Sequence, residues 1–186
     1  MTPLKTPTLL IVPGLRDHVE DHWQTHLERK APGSRCVPPL EHDKLSCAAR
    51  VAALDAVLAQ IEGPVILVAH SAGVMITVHW ARCHRRPIHG ALLAAPADLE
   101  TPMPEGYPTQ EMLEQHGWLP VPREPLPFPS IVAGSTNDPL AALDRVKAFG
   151  QTWGSRFVNV GAVGHLNPGA GYGEWPQAQE LIGALV

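Results

Sequence analysis

A hydroxyl, an imidazole and a carboxylate, far apart in the sequence, each follow a short apolar run. Ser71 lies in Ala69-His70-Ser71-Ala72-Gly73, Asp138 in Ser135-Thr136-Asn137-Asp138-Pro139, and His165 in Gly161-Ala162-Val163-Gly164-His165-Leu166-Asn167. A serine hydroxyl is a poor nucleophile until a neighbouring base takes its proton, and that base needs a third group to orient it. These residue types therefore point to attack on a carbonyl carbon through an acyl-serine, provided the chain brings them together.

The surroundings of Ser71 favour that chemistry. The pattern small-x-Ser-x-Gly, here opened by Ala69 and closed by Gly73, suits a sharp strand-to-helix turn that lifts the hydroxyl clear of the backbone. Residues two before and two after the serine pass close to neighbouring backbone, so both must be small. A helix starting at Ala72 aims its amides and positive dipole end at the site, where negative charge develops. A serine can also simply cap a helix in this position, so the turn needs partners. The order serine, acid, histidine, with the acid and base each after a later strand, supplies them in Asp138 and His165. A second donor for the oxyanion is expected from Val12-Pro13-Gly14-Leu15, with the Leu15 amide beside that of Ala72.

Other constellations compete. Asp98, after Gly90–Ala95, is the alternative acid, although Pro96-Ala97-Asp98 also suits a plain turn. His18, His22 and His26 recur every four residues, a spacing that can bind zinc on a helix. The first of them lacks the adjacent glutamate of His-Glu-x-x-His, and Gly14 suggests that the helix begins late, so a polar helix face is the preferred reading and no metal is expected. His70 is expected to diverge from the nucleophile into a packing or rim role. Trp23, Trp118, Trp153 and Trp175 read first as core or interface anchors, with Trp23 and Trp118, and also Phe128, as candidate walls of an acyl pocket.

The elements that must position these groups alternate along the chain. Strands are expected at Thr8–Val12, Arg35–Pro38, Val65–Ala69, Gly90–Ala95, Ser130–Gly134 and Arg156–Val160. Runs apolar on both faces suit a parallel sheet covered on both sides. Helices are expected at Cys47–Ile61, where Val51, Leu54, Val57, Leu58 and Ile61 follow the helical period, and at Ala72–Cys83, Leu140–Trp153 and Pro176–Val186. The pattern predicts an α/β class: a doubly wound, mostly parallel sheet of about six strands in the order 2-1-3-4-5-6. The segment Pro96–Pro129 breaks the rhythm with its many prolines, and reads as a stiff surface excursion that forms either a rim or a crossover.

At 186 residues the chain is expected to form a single domain spanning 1–186. A net charge of −4 without a basic stripe argues against a nucleic-acid partner. The leading segment Met1–Thr8 and the apolar run Leu9–Val12 are too short for a signal core or a membrane span. Cys36, Cys47 and Cys83 are odd in number and lack paired spacing, which fits reduced thiols packed in a cytoplasmic protein.

Together with Ser71, Asp138 and His165, several short motifs resemble the RBBP9/YdeN-like serine hydrolase family, small α/β-hydrolases without a large cap domain. They include Pro13-Gly14-Leu15, Asp21-His22-Trp23-Gln24, Val68–Gly73, Ala91–Pro96, Asn137-Asp138-Pro139, Gly164–Asn167 and Gly171–Pro176, in order over nearly the whole length. The resemblance implies the same three residues: Ser71 as nucleophile, His165 as base and Asp138 as its orienter. A retinoblastoma-binding role tied to Leu-x-Cys-x-Glu does not carry over, because Leu45-Ser46-Cys47-Ala48-Ala49 lacks the glutamate. Arg16 follows Pro13-Gly14-Leu15 and is expected near the mouth of the site. The expected activity is cleavage of small carboxylic esters, with a small-molecule acyl substrate and no cofactor. A peptidase or amidase with the same triad, or a protein-binding module with a vestigial one, remain the alternatives.

Overall fold

The computed structural model describes residues 6–186. Residues 1–5, part of the leading segment read above as carrying no signal, lie outside the described residues. Six parallel strands form one sheet: β1 (Thr8–Val12), β2 (Arg35–Cys36), β3 (Val65–His70), β4 (Gly90–Ala94), β5 (Ser130–Gly134) and β6 (Arg156–Asn159). Their order is β2-β1-β3-β4-β5-β6, as the alternation predicted. The winding direction reverses at β1, so β1 and β3 flank the crevice in which such sheets bind ligands.

Side-chain alternation divides each central strand between two cores. Leu10, Val12, Leu67, Ala69, Leu93 and Val132 face one side. There they pack on α2 (Cys47–Leu58), α3 (Ala72–Cys83) and α5 (Leu143–Trp153). Ile11, Ile66, Val68, Leu92, Ile131 and Ala133 face the other side, against α1 (Trp23–Lys30) and α6 (Gln177–Gly183). Burial on both faces explains why the strands read as unbroken apolar runs rather than as alternating ones. Among the described residues no helix is long and apolar enough to cross a membrane.

Several boundaries differ from the expectation for local reasons. β2 stops at Cys36, because Pro38 and Pro39 remove the donors a longer ladder needs. α5 begins at Leu143 rather than Leu140, because Leu140 donates its amide to the Asp138 side chain in a turn. α1 is the polar helix expected to begin late after Gly14, and it is only eight residues long. It starts at Trp23, with the His22 ring accepting from the Gln24 amide as its cap. Of the cysteines expected inside, Cys83 is exposed at the end of α3, whereas Cys47 is buried and Cys36 half-buried; all three are unpaired.

The proline-rich excursion is fastened to the α2/α3/α5 face. It carries a further helix, α4 (Gln110–Gln115), which was not expected among the prolines. Trp118 is fully buried and its indole donates to the Leu45 carbonyl at 2.7 Å. The Trp153 indole in turn donates to the Pro122 carbonyl at 2.9 Å.

Candidate active site

β3 ends at His70 and α3 begins at Ala72, so Ser71 alone makes the turn between them. Its φ of 57° and ψ of −124° lie in a region that non-glycine residues seldom adopt. The first turn of α3 presses against the end of β1: a Cβ on Gly73 would sit 2.1 Å from the Val12 carbonyl oxygen. Glycine is therefore required there by close approach. Although Ser71 is the residue before the helix, its hydroxyl makes no cap bond, and it is instead 2.8 Å from Nε2 of His165.

Nδ1 of His165 lies 2.9 Å from both carboxylate oxygens of Asp138. Asp138 Oδ1 also accepts from the Leu140 amide at 2.8 Å, so the turn that follows β5 fixes the carboxylate. Only 1% of the Asp138 side chain and 7% of the His165 side chain is exposed, which keeps water from competing for the relay. The loop bearing His165 is stitched to the loop bearing Asp138. Asn137 Oδ1 accepts from the Gly164 amide at 2.7 Å and from the Ser135 hydroxyl at 3.0 Å, while Ser135 Oγ accepts from the Val163 amide at 3.2 Å. The three groups singled out in the sequence thus converge.

Asp98 does not join them. It is 1% exposed and pairs with Arg145, whose Nε and terminal nitrogen donate to its two oxygens at 2.7 and 3.1 Å. These hydrogen bonds, with a further one from Arg145 to Glu100, hold the guanidinium above its ordinary pKa. Its role is to tie the loop after β4 to α5.

The loop after β1 approaches the serine from the other side of the crevice. A Cβ on Gly14 would lie 3.4 Å from the Ser71 Cβ and 3.7 Å from its hydroxyl oxygen. Leu15 and Ala72 thus flank Ser71, and among the described residues neither amide donates to a protein acceptor. Arg50, on α2, holds this loop by pairing with Asp17 and donating to the Leu15 carbonyl at 3.3 Å. Gln24 reinforces the crevice from α1. Its side-chain amide donates to the Val12 carbonyl at 3.2 Å and to the Val68 carbonyl at 2.9 Å, bridging β1 and β3.

A cavity of about 220 Å³ opens beside Ser71, lined largely by apolar side chains, among them Leu15, Val19, Leu99, Met103 and Leu140. Arg16 lines it too, with its guanidinium 5.9 Å from the Tyr107 ring centroid. Trp23, Trp118 and Phe128 do not, which corrects the expectation that they wall an acyl pocket. Trp23 packs edge-on against Trp175 beneath the sheet, and Trp118 and Phe128 belong to the opposite core. Aromatic size pointed to a wall, but each of the three rings is buried in a core and none lines the cavity. Met103 and Tyr107 come from the excursion, where the sequence offered no periodicity to single them out.

His18, His22 and His26 do not share a helix face, because α1 starts after His22. His22 instead lines the cavity beside His70, with ring centroids 4.6 Å apart. His70 diverges from the Ser71 hydroxyl as expected, yet supports the site: its Nε2 donates to the His165 carbonyl at 2.7 Å. Burial pushes His22 down to about 4 and His70 well below its usual value, so both are neutral imidazoles at neutral pH.

Comparison with known proteins agrees with this architecture. A sequence model of the serine hydrolase family matches residues 9–184. No curated protein matches the chain. Among solved structures, a chain described as a YdeN-like hydrolase from Pectobacterium atrosepticum is 29% identical with a TM-score of 0.79, and the match covers 97% of this chain and 93% of that one. The ydeN gene product of B. subtilis is 16% identical with a TM-score of 0.77, covering 97% of this chain and 98% of that one. Est1E from Butyrivibrio proteoclasticus shares the fold at 13% identity and a TM-score of 0.69, with 99% and 87% covered. The chain belongs to the serine hydrolase family, and is a hydrolytic enzyme of α/β-hydrolase fold with YdeN-like relatives.

Proposed function

We propose that the enzyme cleaves small carboxylic esters through an acyl-serine, with Ser71 as nucleophile, His165 as general base and acid, and Asp138 as the carboxylate that orients His165. The observation that carries this reading is the unbroken relay: Ser71 Oγ at 2.8 Å from His165 Nε2, and His165 Nδ1 at 2.9 Å from Asp138. With Nδ1–H donated to Asp138, Nε2 is free to take the Ser71 proton as Oγ attacks the carbonyl carbon. The imidazolium then returns that proton to the leaving oxygen, and water repeats the cycle on the acyl-enzyme. The amides of Leu15, in the loop after β1, and of Ala72, at the start of α3, have no protein acceptors among the described residues and are suited to bind the oxyanion. A single donor of this kind is worth roughly 10²–10³ in kcat.

The apolar cavity supports a short acyl group. Its volume of about 220 Å³ is below the roughly 300–1,000 Å³ typical of drug-sized ligand sites. Turnover of p-nitrophenyl esters from acetyl to decanoyl, beside an aminoacyl p-nitroanilide, tests the reading. Esters up to about hexanoyl should be cleaved with the highest kcat/KM. Preference for decanoyl would overturn the short-acyl reading, and faster cleavage of the anilide would make the enzyme an amidase.

A further inference from the structure

His165 divides two cavities. The apolar one lies on the side of Leu15 and Ala72. The other is an open groove of about 480 Å³ on the side of the His165 loop, lined by Tyr107, Tyr172, Asn137, Asn167 and Ala162 among others. His165, Asn167 and Tyr107 line both. We propose that this groove binds the alcohol half of the ester, and that it favours a neutral, oxygen-rich alcohol such as glycerol or a sugar. The inference rests on the serine hydrolase reading above.

The assignment of sides follows from where the proton must go. The carbonyl oxygen has to lie at the Leu15 and Ala72 amides, so the acyl group occupies the apolar cavity beside them. The departing oxygen has to face His165 Nε2, which returns to it the proton taken from Ser71. Ser71 Oγ bonds to the acyl carbon as the bond from that carbon to the alcohol oxygen breaks, and the alcohol leaves as R′OH. The remainder of the alcohol then extends past His165 into the groove.

The chemistry of the lining selects the occupant. Asn137 Oδ1 is engaged by the Gly164 amide and the Ser135 hydroxyl, and Asn167 Oδ1 by the Ala170 amide at 3.0 Å. Both carboxamides are thereby held with their NH₂ ends unused, and among the described residues neither those ends nor the Tyr107 and Tyr172 hydroxyls meet a protein partner. Among the described residues, no Asp, Glu, Lys or Arg lines the groove. Fixed neutral donors and phenol rings suit an alcohol that carries several oxygens and no charge, whereas an alkyl alcohol would leave those donors unpaired. By microscopic reversibility the same groove receives an acceptor alcohol, which attacks the acyl-serine in place of water while His165 takes its proton.

The test compares glyceryl monobutyrate with propyl butyrate, which share an acyl group. Wild type should favour the glyceryl ester in kcat/KM. In Asn167→Asp, which keeps an oxygen for Ala170 but loses the NH₂ donor, that preference should fall about tenfold. Ala162→Trp, which fills the groove, should lower it as well. Added glycerol should divert part of the butyryl-enzyme to glyceryl butyrate in wild type, and less in either variant. A preference that neither variant moves, while p-nitrophenyl butyrate still gives an acyl-enzyme burst, overturns the groove assignment and leaves the hydrolase reading intact. Failure of Ser71 to acylate at all overturns both.

Discussion

Asp138 offers both carboxylate oxygens to one nitrogen of His165, each at 2.9 Å, while the other imidazole nitrogen faces Ser71. This bidentate approach fixes the ring and its tautomer together. Asp138→Asn keeps the volume but places an amide donor beside Nδ1, which favours the tautomer whose Nε2 already carries a proton. By triad precedent kcat should fall on the order of 10⁴-fold, with little change in KM. Steady-state kinetics on a p-nitrophenyl ester check this; a loss of only a fewfold would remove Asp138 from the relay.

Asp98 should behave in the opposite way. Its partner Arg145 also contacts Glu100, and the cluster lies between the β4 loop and α5. Asp98→Asn weakens the pair with the half-exposed Arg145 and puts an amide where the buried carboxylate accepted its hydrogen bonds. It should cost about 1–3 kcal/mol of stability, with kcat changed by less than a few fold. Urea unfolding measured beside the kinetics distinguishes the two acids.

The two glycines that touch the crevice should differ in their tolerance. A methyl group at Gly73 meets backbone oxygens at 2.1 and 2.8 Å, whereas one at Gly14 meets the Ser71 side chain at an ordinary 3.4 Å. Gly73→Ala must push α3 away from β1 and tilt the elbow. We expect about 2 kcal/mol or more of destabilisation and at least a tenfold loss of kcat/KM. Gly14→Ala should fold with near wild-type stability. Melting temperatures and initial rates of both variants check the contrast.

Legibility from sequence followed the physics of each element. β3 and β4 are buried on both faces, so their apolar runs announced them, and the small residues around Ser71 announced the turn that exposes it. Asp138 and His165 were legible because each sits one loop past a strand. The pocket walls were not: Met103 and Tyr107 lie on a proline-rich segment without periodicity, and Trp23 and Trp118 are large enough to suggest a wall anywhere. In the sequence Asn137 stands out only as the neighbour of Asp138. Its work, holding Gly164 and Ser135, depends on two loops that only the folded sheet brings together.

Acid should weaken the fold through its neutral imidazoles. Burial first, and then the charges of His165 and His26, hold His22 at about 4, whereas the unfolded chain titrates near 6.5. Between those values the unfolded state binds a proton that the folded state refuses. The contribution is therefore complete above about pH 6.5 and is lost as pH falls toward 4, on the order of 3 kcal/mol in all. His70 acts in the same direction. His22→Asn keeps an oxygen to cap the Gln24 amide but cannot titrate, so its stability should fall less between pH 6.5 and 4.5. Denaturant midpoints at the two pH values check it; parallel losses in wild type and variant would refute it.

The identity of the nucleophile is the claim on which the rest depends, and intact-mass measurement after incubation with a fluorophosphonate tests it most directly. Wild type should gain the mass of one phosphonyl group, located on Ser71 by peptide mapping, and folded Ser71→Ala should gain none. An unmodified wild type, or an adduct that persists in Ser71→Ala, would contradict the account.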